Sequence, residues 1–380
     1  MDRKEIAIIY IKKDQWIAGA YYLQNLISAL NLVDDIQKPL INIYCDSATD
    51  YDDLAAITHY PYIRLAGPVE FTLIQRIVNK PFRTLFNDQV IMDSLDMRKT
   101  NNIFMFPFYE GRPHRSMERI LPWKPDFQEK YYPQFFSQKA LIFRDKWMQY
   151  YLKNGIPIVF SSNDAYNDCR KFYPEYECHP YILQFAVTHP DYSAISIGEV
   201  KQKFDIGGDY FFVANQFWIH KNHLFLFKSY KKYRDLGGRK LLVCSGKLQD
   251  KRFPDYTSEI TSFIEQNNLG HYIKILGFIE RSEQLCLMKN SYAVIQPSLF
   301  EGWSTVVEDA KAMNKFIYLS NLPVHLEQQP VNVCYFDPHN EEELADKMIN
   351  TIPSAIEYNY TIKQKAFGIK FLEIINKFGK

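Results

Sequence analysis

The sequence lacks an excess of either charge, a closely spaced cysteine pair and a long apolar run. Its 380 residues include 45 basic and 44 acidic side chains, so the positive field of a nucleic-acid-binding protein is missing and no nucleic-acid partner is predicted. Its six cysteines form no C-x-x-C pair, which argues against a disulfide framework or a zinc site. The first apolar run, residues 6–11, ends at Lys12 and is too short for a signal peptide or a membrane span. These absences predict a cytoplasmic protein.

What the sequence does contain is an alternation of short β-branched runs with amphipathic helical stretches, which is typical of βαβ units and parallel sheets. A chain of 380 residues exceeds the usual size of one hydrophobic core, so two domains are expected. A polar stretch ending in Gly-Gly interrupts the alternation and is interpreted as a linker. We therefore predict an α/β fold with a first domain at 1–190, a linker at 191–208, a second domain at 209–357 and a final helix at 358–380.

The predicted strands form two series, one on each side of the linker. The first series is IAIIY (6–10), INIYCD (41–46), YIRLAG (62–67), NIFMF (102–106) and IPIVFSS (156–162). The second is YFFVAN (210–215), KLLVCSG (240–246), YIKILG (272–277), AVIQPS (293–298), FIYLS (316–320) and VCYFD (333–337). Two doubly wound domains of this kind leave a cleft between them, and ligands of such sheets bind outside the carboxyl ends of the strands.

The stretch PSLFEGWSTVVEDAKAM, residues 297–313, lies at such a strand end because it follows AVIQPS. Gly302 allows a ligand to approach the backbone closely, and the N–H groups of a helix that begins near Thr305 favour an anion such as phosphate. Glu301 in the loop and Glu308 in the helix can each accept hydrogen bonds from sugar hydroxyls. Glu308 also has a local interpretation, since Thr305-x-x-Glu308 fits a capping box in which the glutamate bonds back to the helix start.

The same stretch closely resembles the C-terminal signature of the retaining, nucleotide-sugar-dependent glycosyltransferases of family 4. Their GT-B architecture has two Rossmann-like domains that face each other across a cleft. The resemblance extends through LGFIERSEQLCLMKNSYAVIQPS before the stretch and through SNLPVHLEQ and YFDPHNEEELADKM after it. It implies that Glu301 acts in catalysis at the donor sugar and that Glu308 binds the ribose of the nucleotide. The other loop residues that it assigns to the donor are Gly302, Trp303, Ser304 and Thr305. The family usually has seven residues between the two glutamates, whereas six lie between them here.

A second landmark of the family is an arginine followed six positions later by a lysine, which together neutralise the departing diphosphate. In FFVANQFWIHKNHLFLF, Lys221 stands at the lysine position and Asn215 at the arginine position. Both are therefore assigned to the donor, and Lys221 also to catalysis. Because the leaving diphosphate needs compensating charge, Lys247 or His220 is expected to replace the missing arginine. A polar helix start is the alternative for Lys221, and a metal site at His220 and His223 would need a third ligand.

The amino-terminal domain resembles the family in two segments. WIAGAYYLQNLISAL corresponds to the glycine-containing loop and first helix, where amides near Gly19 would face the donor diphosphate; the family usually has two adjacent glycines there. ILPWKPDFQEKYYPQFFS is similar to a segment of bacterial members that assemble surface polysaccharides, which implies that Asp126 and Gln128 contact the acceptor. A histidine often follows that glutamine in relatives, and Glu129 replaces it here. Asp126 after Pro125 can equally be a turn residue.

The resemblance implies a metal-independent hexosyltransferase that acts with net retention and without a cofactor. The donor would be a nucleotide-diphosphate sugar. The acceptor would be a glycan or a lipid-linked saccharide in the synthesis of O-antigen, capsule or lipopolysaccharide. A lipid-linked acceptor would place the bacterial protein at the inner face of the membrane. The aromatic and basic tract at 108–123 is a candidate for that peripheral contact, with a solvent-facing loop as the alternative.

Three other functions fit parts of the sequence. A catalytically silent protein that binds a glycan or a partner enzyme is suggested by the missing arginine and the single Gly19. A metal-dependent glycosyltransferase would use DYDD at 50–53, although these residues open a predicted helix where acidic side chains need no metal. A nucleotide-sugar epimerase or a phosphorylase can share the same two-domain fold.

Overall fold

The computed structural model describes residues 3–12, 17–45, 47–67, 73–86, 100–108, 119–250, 252–353 and 355–378. The chain divides into two compact units. The first unit consists of Met1–Thr188 together with Thr361–Lys380, and the second unit is His189–Tyr360. Each unit contains one parallel β-sheet, and helices connect most of the successive strands in the described part of the chain, as the alternating sequence pattern predicts.

The first unit contains a seven-stranded parallel sheet. Its strands are β1 (Glu5–Ile9), β2 (Leu40–Tyr44), β3 (Ile63–Gly67), β4 (Asn102–Phe108), β5 (Ile120–Lys124), β6 (Ile158–Phe160) and β7 (Pro180–Ile182). Its helices before residue 188 are α1 (Ile17–Ala29), α2 (Ala48–Thr58), α3 (Leu73–Phe86), α4 (Gln128–Tyr131), α5 (Gln138–Lys153) and α6 (Asn163–Phe172). Short 3-10 helices cover Leu30–Leu32, Asp35–Gln37 and Pro133–Phe135. The spatial order β3-β2-β1-β4-β5-β6-β7 starts at a central β1 and continues outward in both directions, which is the doubly wound arrangement.

The second unit contains a six-stranded parallel sheet. Its strands are β8 (Tyr210–Ala214), β9 (Leu241–Ser245), β10 (Ile273–Ile275), β11 (Ala293–Gln296), β12 (Ile317–Ser320) and β13 (Val333–Phe336). Its helices are α7 (Ile197–Lys203), α8 (His223–Asp235), α9 (Pro254–Gln266), α10 (Arg281–Asn290), α11 (Thr305–Ala312), α12 (Pro323–Gln328) and α13 (Glu341–Asn350), with a 3-10 helix at Ile219–Lys221. The order β10-β9-β8-β11-β12-β13 changes direction between β8 and β11. The crevice at such a change of direction is the usual ligand site of a doubly wound sheet.

The polar stretch at 191–208 belongs to the second unit and is not a separate linker. It contains α7, whose N-cap Ser196 accepts a hydrogen bond from the Glu199 N–H group at 3.4 Å. Val200 and Ile206 are buried in the hydrophobic core between the sheet and its helices. Ile197, Val200 and Phe204 lie three and four residues apart, as on one face of a helix, and pack on this core. The polar residues between them and the following Gly-Gly favoured the interpretation as a linker.

The last helix of the chain, α14 (Thr361–Phe378), returns to the first unit. Phe367, Phe371, Ile374 and Ile375 are all buried, so one face of the helix is part of the core of that unit. The Phe371 ring lies 5.6 Å from Phe106 of β4 between ring centroids. The predicted segment 358–380 thus starts as a helix at Thr361, and residues 358–360 remain with the second unit.

We expect Gly368→Ala to destabilise the attachment of α14. A Cβ atom at this position would lie 2.7 Å from the carbonyl oxygen of Ala29, which is backbone and cannot rotate away. Overpacking of this kind typically costs about 1–3 kcal/mol. Thermal unfolding would measure the loss, with Gly207→Ala as the matched control, because a Cβ there meets no atom within 4 Å. Equal melting temperatures for the two variants would contradict the close packing of α14 on α1.

The DYDD segment at 50–53 forms part of α2. The Ser47 side chain caps this helix by accepting a hydrogen bond from the Asp50 N–H group at 3.4 Å, and Asp53 pairs with Lys12 at 2.8 Å. Across the described residues, no group of three or more His, Cys, Asp or Glu side chains could hold a metal ion. Two of the acidic residues of this segment, Asp50 and Asp53, therefore have structural roles in α2 and its contact with Lys12.

The tract at 108–123, proposed for membrane contact, lies mostly outside the described residues, since 109–118 are not among them. Its two ends are Phe108, which closes β4, and the residues of β5. Within the described part of the chain, no helix combines the length and the apolar character needed to cross a membrane.

Candidate active site

The candidate site of the second unit is built at the carboxyl ends of the neighbouring strands β8 and β11. Asn215 directly follows β8, and Gln296 is the last residue of β11. The side-chain amide of Asn215 donates a hydrogen bond to Oε1 of Gln296 at 2.6 Å, and both residues are buried. Asn215, predicted to bind the donor in place of an arginine, thus orients Gln296 but brings no charge.

Lys221 and Glu301 form the central ion pair of this site. The Nζ atom of Lys221 lies 2.6 Å from Oε1 of Glu301, and the two side chains are 14% and 10% exposed. The same oxygen of Glu301 accepts hydrogen bonds from Nε2 of Gln296 and Oγ of Ser298, each at 2.7 Å. The two residues predicted to be catalytic are therefore in direct contact, although 80 residues separate them in the sequence.

The charge of Glu301 is stabilised by its neighbours. Burial alone would raise the pKa of this carboxyl, but the ammonium group of Lys221 and the hydrogen bonds from Lys221 and Ser298 outweigh burial and hold the pKa below its usual value. Glu301 is consequently ionised at neutral pH and balances the charge of Lys221. A diphosphate that binds here must therefore share Lys221 with a carboxylate.

The capping box predicted for Thr305 and Glu308 is wrong. Helix α11 begins at Thr305, so its N-cap is Ser304, and no side-chain cap hydrogen bond is formed there. Glu308 is consequently four residues beyond the N-cap, one more than the spacing at which a glutamate reaches back to the N-cap N–H group. Its side chain instead points into the protein and is 1% exposed.

Glu308 is held by three side chains of the second unit. Its Oε1 atom accepts hydrogen bonds from Lys311 at 2.8 Å and Gln328 at 2.9 Å, and its Oε2 atom accepts one from the Tyr360 hydroxyl at 2.6 Å. An ionised carboxylate offers about four acceptor positions. The predicted role in binding ribose would therefore use the remaining one.

The loop between β11 and α11 carries the other predicted donor residues. Gly302, Trp303 and Thr305 are half-buried, whereas Ser304 is buried. The amide of Gln328 holds Ser304 at two points, because its Oε1 accepts from the Ser304 N–H group at 3.2 Å and its Nε2 donates to the Ser304 carbonyl at 3.0 Å. One N–H group expected to face a phosphate is thus already bound within the protein.

Neither histidine near Lys221 supplies the charge of the missing arginine. Burial lowers the pKa of both His220 and His223 to about 3, so both rings are neutral at physiological pH. His223 is stacked on Phe217 with 3.9 Å between ring centroids, as a core residue would be. Lys247 is exposed in the loop after β9, and its role as the second cation stays a prediction.

Sequence reasoning missed four polar residues of this site. These are Gln296, Ser298, Gln328 and Tyr360, all of which hydrogen-bond to Glu301 or Glu308. The signal for Gln296 was present, because a glutamine at the end of an otherwise apolar strand needs a buried partner. Gln328 and Tyr360 gave no local signal, since they approach Glu308 from 20 and 52 residues away.

The three candidates of the amino-terminal domain all lie in the first unit. Gly19 is buried in the first turn of α1. Asp126 follows β5, and its Oδ1 atom accepts a hydrogen bond from the Gln128 N–H group at 3.0 Å. That contact is an Asx-turn, so it supports the interpretation of Asp126 as a turn residue. Glu129 pairs with Lys124 at 2.6 Å and is buried, which gives it a structural role.

Comparison with known proteins identifies the domain that carries this site. Residues 198–367 match the family model described as glycosyl transferases group 1. This segment, which is similar to a glycosyltransferase group 1 domain, covers most of the second unit, extends into α14 and amounts to less than half of the chain. Lys221, Glu301 and Glu308 all lie within the segment that matches the group 1 model.

A curated relative shares part of the chain. It is the O-antigen chain mannosyltransferase RfbU of Salmonella typhimurium, which is 26% identical over 150 residues. The match covers 39% of this chain and 40% of that protein, so it spans less than half the length of the relative.

Solved glycosyltransferase structures share the fold over nearly the whole chain. A glycosyltransferase from Rickettsia africae has a TM-score of 0.62 at 15% identity, with both chains covered completely. HepE from Anabaena, solved in complex with UDP and glucose, has a TM-score of 0.61 at 15% identity over 98% of this chain and 97% of its own. WaaG, a glycosyltransferase involved in lipopolysaccharide biosynthesis, has a TM-score of 0.55 at 12% identity over 98% and 95%. The predicted fold of two Rossmann-like domains of the GT-B class is confirmed.

Proposed function

We propose that this protein is a retaining glycosyltransferase of family 4 that moves a sugar from a nucleotide-diphosphate donor to a glycan or lipid-linked saccharide. The observation that carries the proposal is the contact of Lys221 with Glu301 at the carboxyl ends of β8 and β11, within the segment that matches the group 1 model. Surface-polysaccharide synthesis is the proposed context, because RfbU is an O-antigen chain mannosyltransferase and WaaG is a glycosyltransferase involved in lipopolysaccharide biosynthesis.

In the proposed donor complex, Lys221 binds the diphosphate and Glu301 lies at the sugar. The loop residues Gly302 and Trp303 follow Glu301 directly and line the same strand end. Glu308 would accept a hydrogen bond from a ribose hydroxyl with its remaining lone pair. The complex of HepE with UDP and glucose supports a nucleotide-sugar donor for a protein of this fold.

The proposed reaction needs no protein nucleophile. The bond between the anomeric carbon and the diphosphate oxygen breaks, and the acceptor hydroxyl forms its bond to that carbon on the same face. The proton of the acceptor hydroxyl passes to the departing phosphate oxygen, so atoms and charge balance. Lys221 stabilises the negative charge that grows on the leaving group, in place of a divalent metal ion. Positioning of the two substrates supplies the remaining acceleration.

The first experiment is thermal-shift binding of UDP, GDP, ADP, CDP and dTDP, each with and without EDTA. We expect one nucleotide to raise the melting temperature. At a hundredfold excess over its Kd, the ligand would stabilise the protein by about 2.7 kcal/mol. The shift should persist in EDTA and shrink in Lys247→Ala, if Lys247 is the second cation. A shift that disappears in EDTA would contradict metal independence.

The stereochemical outcome needs a separate measurement. Proton NMR of the anomeric position, in donor and product, should show the same configuration at both. An inverted product would overturn the retaining mechanism and leave the transferase assignment intact.

A silent binding protein is the second candidate function, favoured by the neutral Asn215 and by the balance of charge between Lys221 and Glu301. It predicts nucleotide or glycan binding without turnover. Release of free nucleoside diphosphate from any nucleotide sugar, in the presence of an acceptor, would exclude it.

A further inference from the structure

Two hydrogen bonds connect the ends of the second unit to adjacent residues of α11. The unit begins at His189, whose Nε2 lies 2.9 Å from Oδ1 of Asp309, and ends at Tyr360, whose hydroxyl donates to Oε2 of Glu308 at 2.6 Å. The chain enters and leaves this unit through two segments, and both are anchored to α11. This helix follows the loop at 297–304, here called the donor loop.

A continuous route of hydrogen bonds leads from Tyr360 to the loop between β11 and α11. Glu308 accepts from Gln328 at 2.9 Å, and the amide of Gln328 holds both the N–H group and the carbonyl of Ser304. The hydroxyl of Ser304 in turn lies 3.2 Å from Nε2 of Gln296, which also donates to the catalytic candidate Glu301. Each step joins polar groups that are withdrawn from water.

Burial makes this route sensitive to the loss of one member. Glu308 is 1% exposed, and Ser304 and Gln328 are each 2% exposed. In such surroundings a polar atom deprived of its partner finds no water to replace it, so the neighbouring groups must rearrange. The Oε2 atom of Glu308 receives its hydrogen bond from Tyr360. Loss of that hydroxyl leaves the carboxylate held at Oε1 alone, by Lys311 and Gln328, so it can turn about that oxygen.

Asp309 provides an internal comparison, because another partner holds both of its oxygens, whereas Lys311 and Gln328 hold only Oε1 of Glu308. Arg281 binds both carboxylate oxygens of Asp309, at 2.6 and 2.7 Å. A bidentate pair of this kind fixes the carboxylate by itself. Removal of His189 should therefore leave Asp309 in place.

We propose that Tyr360 is a positioning residue of the donor site. Its hydroxyl sets the orientation of Glu308 and, through Gln328, the backbone of Ser304. The affinity for the nucleotide then depends on the segment that leaves the second unit, although Tyr360 itself lies outside the donor loop. The inference rests on the proposed role of Glu308 in binding the ribose.

The test compares two ligands by isothermal titration calorimetry. One is the nucleoside diphosphate that binds the wild type, and the other is the same compound without its 2′ and 3′ hydroxyls. We expect Tyr360→Phe to weaken binding of the first about tenfold, because a hydrogen bond to a charged group is lost. Binding of the dideoxy compound should change little. The affinity ratio, which is the affinity for the nucleoside diphosphate divided by that for the dideoxy compound, should therefore decrease. In turnover assays, the donor KM should rise more than kcat falls.

Two control variants separate positioning from general loss of stability. Tyr230→Phe removes another buried hydroxyl of the same unit, which donates to the carbonyls of Lys240 and Tyr272. His189→Asn alters the contact on the neighbouring carboxylate. Both should lower the melting temperature and keep the wild-type affinity ratio. Gln328→Met interrupts the route at its next step and should reduce the affinity ratio as Tyr360→Phe does. It replaces Tyr360→Phe as the test if the latter variant does not fold.

The outcomes distinguish this inference from the function on which it rests. Wild-type protein that binds no nucleoside diphosphate would overturn the proposed function and this inference with it. Wild-type binding, together with an unchanged affinity ratio in Tyr360→Phe and Gln328→Met, would overturn the inference alone. An equal decrease of the ratio in Tyr230→Phe would also overturn it, because a general loosening of the unit would then explain the effect.

Discussion

Lys221→Ala should lower kcat for sugar transfer by about a hundredfold or more, which is the usual effect of removing one group that stabilises transition-state charge. Lys221 supplies the ammonium group at the proposed diphosphate position, and Asn215 stands where a second cation would be. The substitution also removes the cation that lies 2.6 Å from Glu301. Loss of that buried partner should destabilise the fold by about 3 kcal/mol, because a carboxylate is left uncompensated.

The double variant Lys221→Ala with Glu301→Gln separates these two effects. It removes the uncompensated charge, and the glutamine can still accept hydrogen bonds from Gln296 and Ser298. We expect stability to recover close to the wild-type value while kcat stays low. Recovery of both would mean that Lys221 serves only to neutralise Glu301, and the proposed contact with the diphosphate would then be wrong. Lys228→Ala, on the exposed side of α8, is the matched control and should leave both quantities unchanged.

Much of the fold could be predicted from the sequence, since its elements are encoded by local periodicity. The strands YFFVAN and AVIQPS were both predicted correctly from short apolar runs. Their parallel pairing as neighbours in the sheet is what a doubly wound fold leads one to expect. The helix at 197–203 was missed because its charged residues mask the two apolar positions that pack in the core. Local pattern identifies an element reliably only where its apolar face is wide.

The candidate site could be predicted only in part: the surroundings of Glu301 were expected from the sequence, and those of Glu308 were not. The position of Glu301 beside Lys221 agrees with a signature that places both at strand ends of one sheet. For Glu308, local physics favoured a capping box, and the structure shows three tertiary partners instead. The nearest of them in sequence is Lys311, one turn further along the helix, and the other two come from distant elements. Such contacts depend on packing between elements, which single-sequence patterns do not encode.

The second unit should lose stability as the pH falls from 7 to 5, because it contains three buried neutral histidines. Burial lowers the pKa of His220 and His223 to about 3 and that of His325 to about 4. In the unfolded chain a histidine takes up a proton near pH 6.5. Above that pH neither state is protonated and the rings have no effect on the pH dependence. Below it, only the unfolded state binds protons, so the free energy of unfolding decreases until the folded pKa is reached.

Each ring should have a large effect on the free energy of unfolding. A histidine that stays neutral in the folded state lowers this free energy by about 2 kcal/mol at pH 5 relative to pH 7. Burial also raises the pKa of Asp126 and Asp168 in the first unit, which acts in the opposite direction as the pH falls. The contribution of one histidine is therefore obtained by comparing the wild type with a variant that lacks that ring. Chemical denaturation at several pH values would measure the slope, and an equal free energy of unfolding at pH 7 and 5 would contradict the burial of neutral rings.

His223→Phe provides the decisive variant, since the two nitrogens of His223 have no hydrogen-bond partner among the described residues. A phenyl ring should keep the stacking on Phe217, remove the cost of two buried polar atoms and abolish the titration of this side chain. The variant should be more stable than wild type at pH 7. Its loss of stability between pH 7 and 5 should be smaller by about 2 kcal/mol, which is the contribution of one histidine. Gly207→Ala, which changes no ionisable group and whose added Cβ meets no atom within 4 Å, should reproduce the wild-type slope. An unchanged slope in His223→Phe would mean that the ring is already protonated in the folded state or is accessible to water, and the assignment of His223 as a neutral core residue would be wrong.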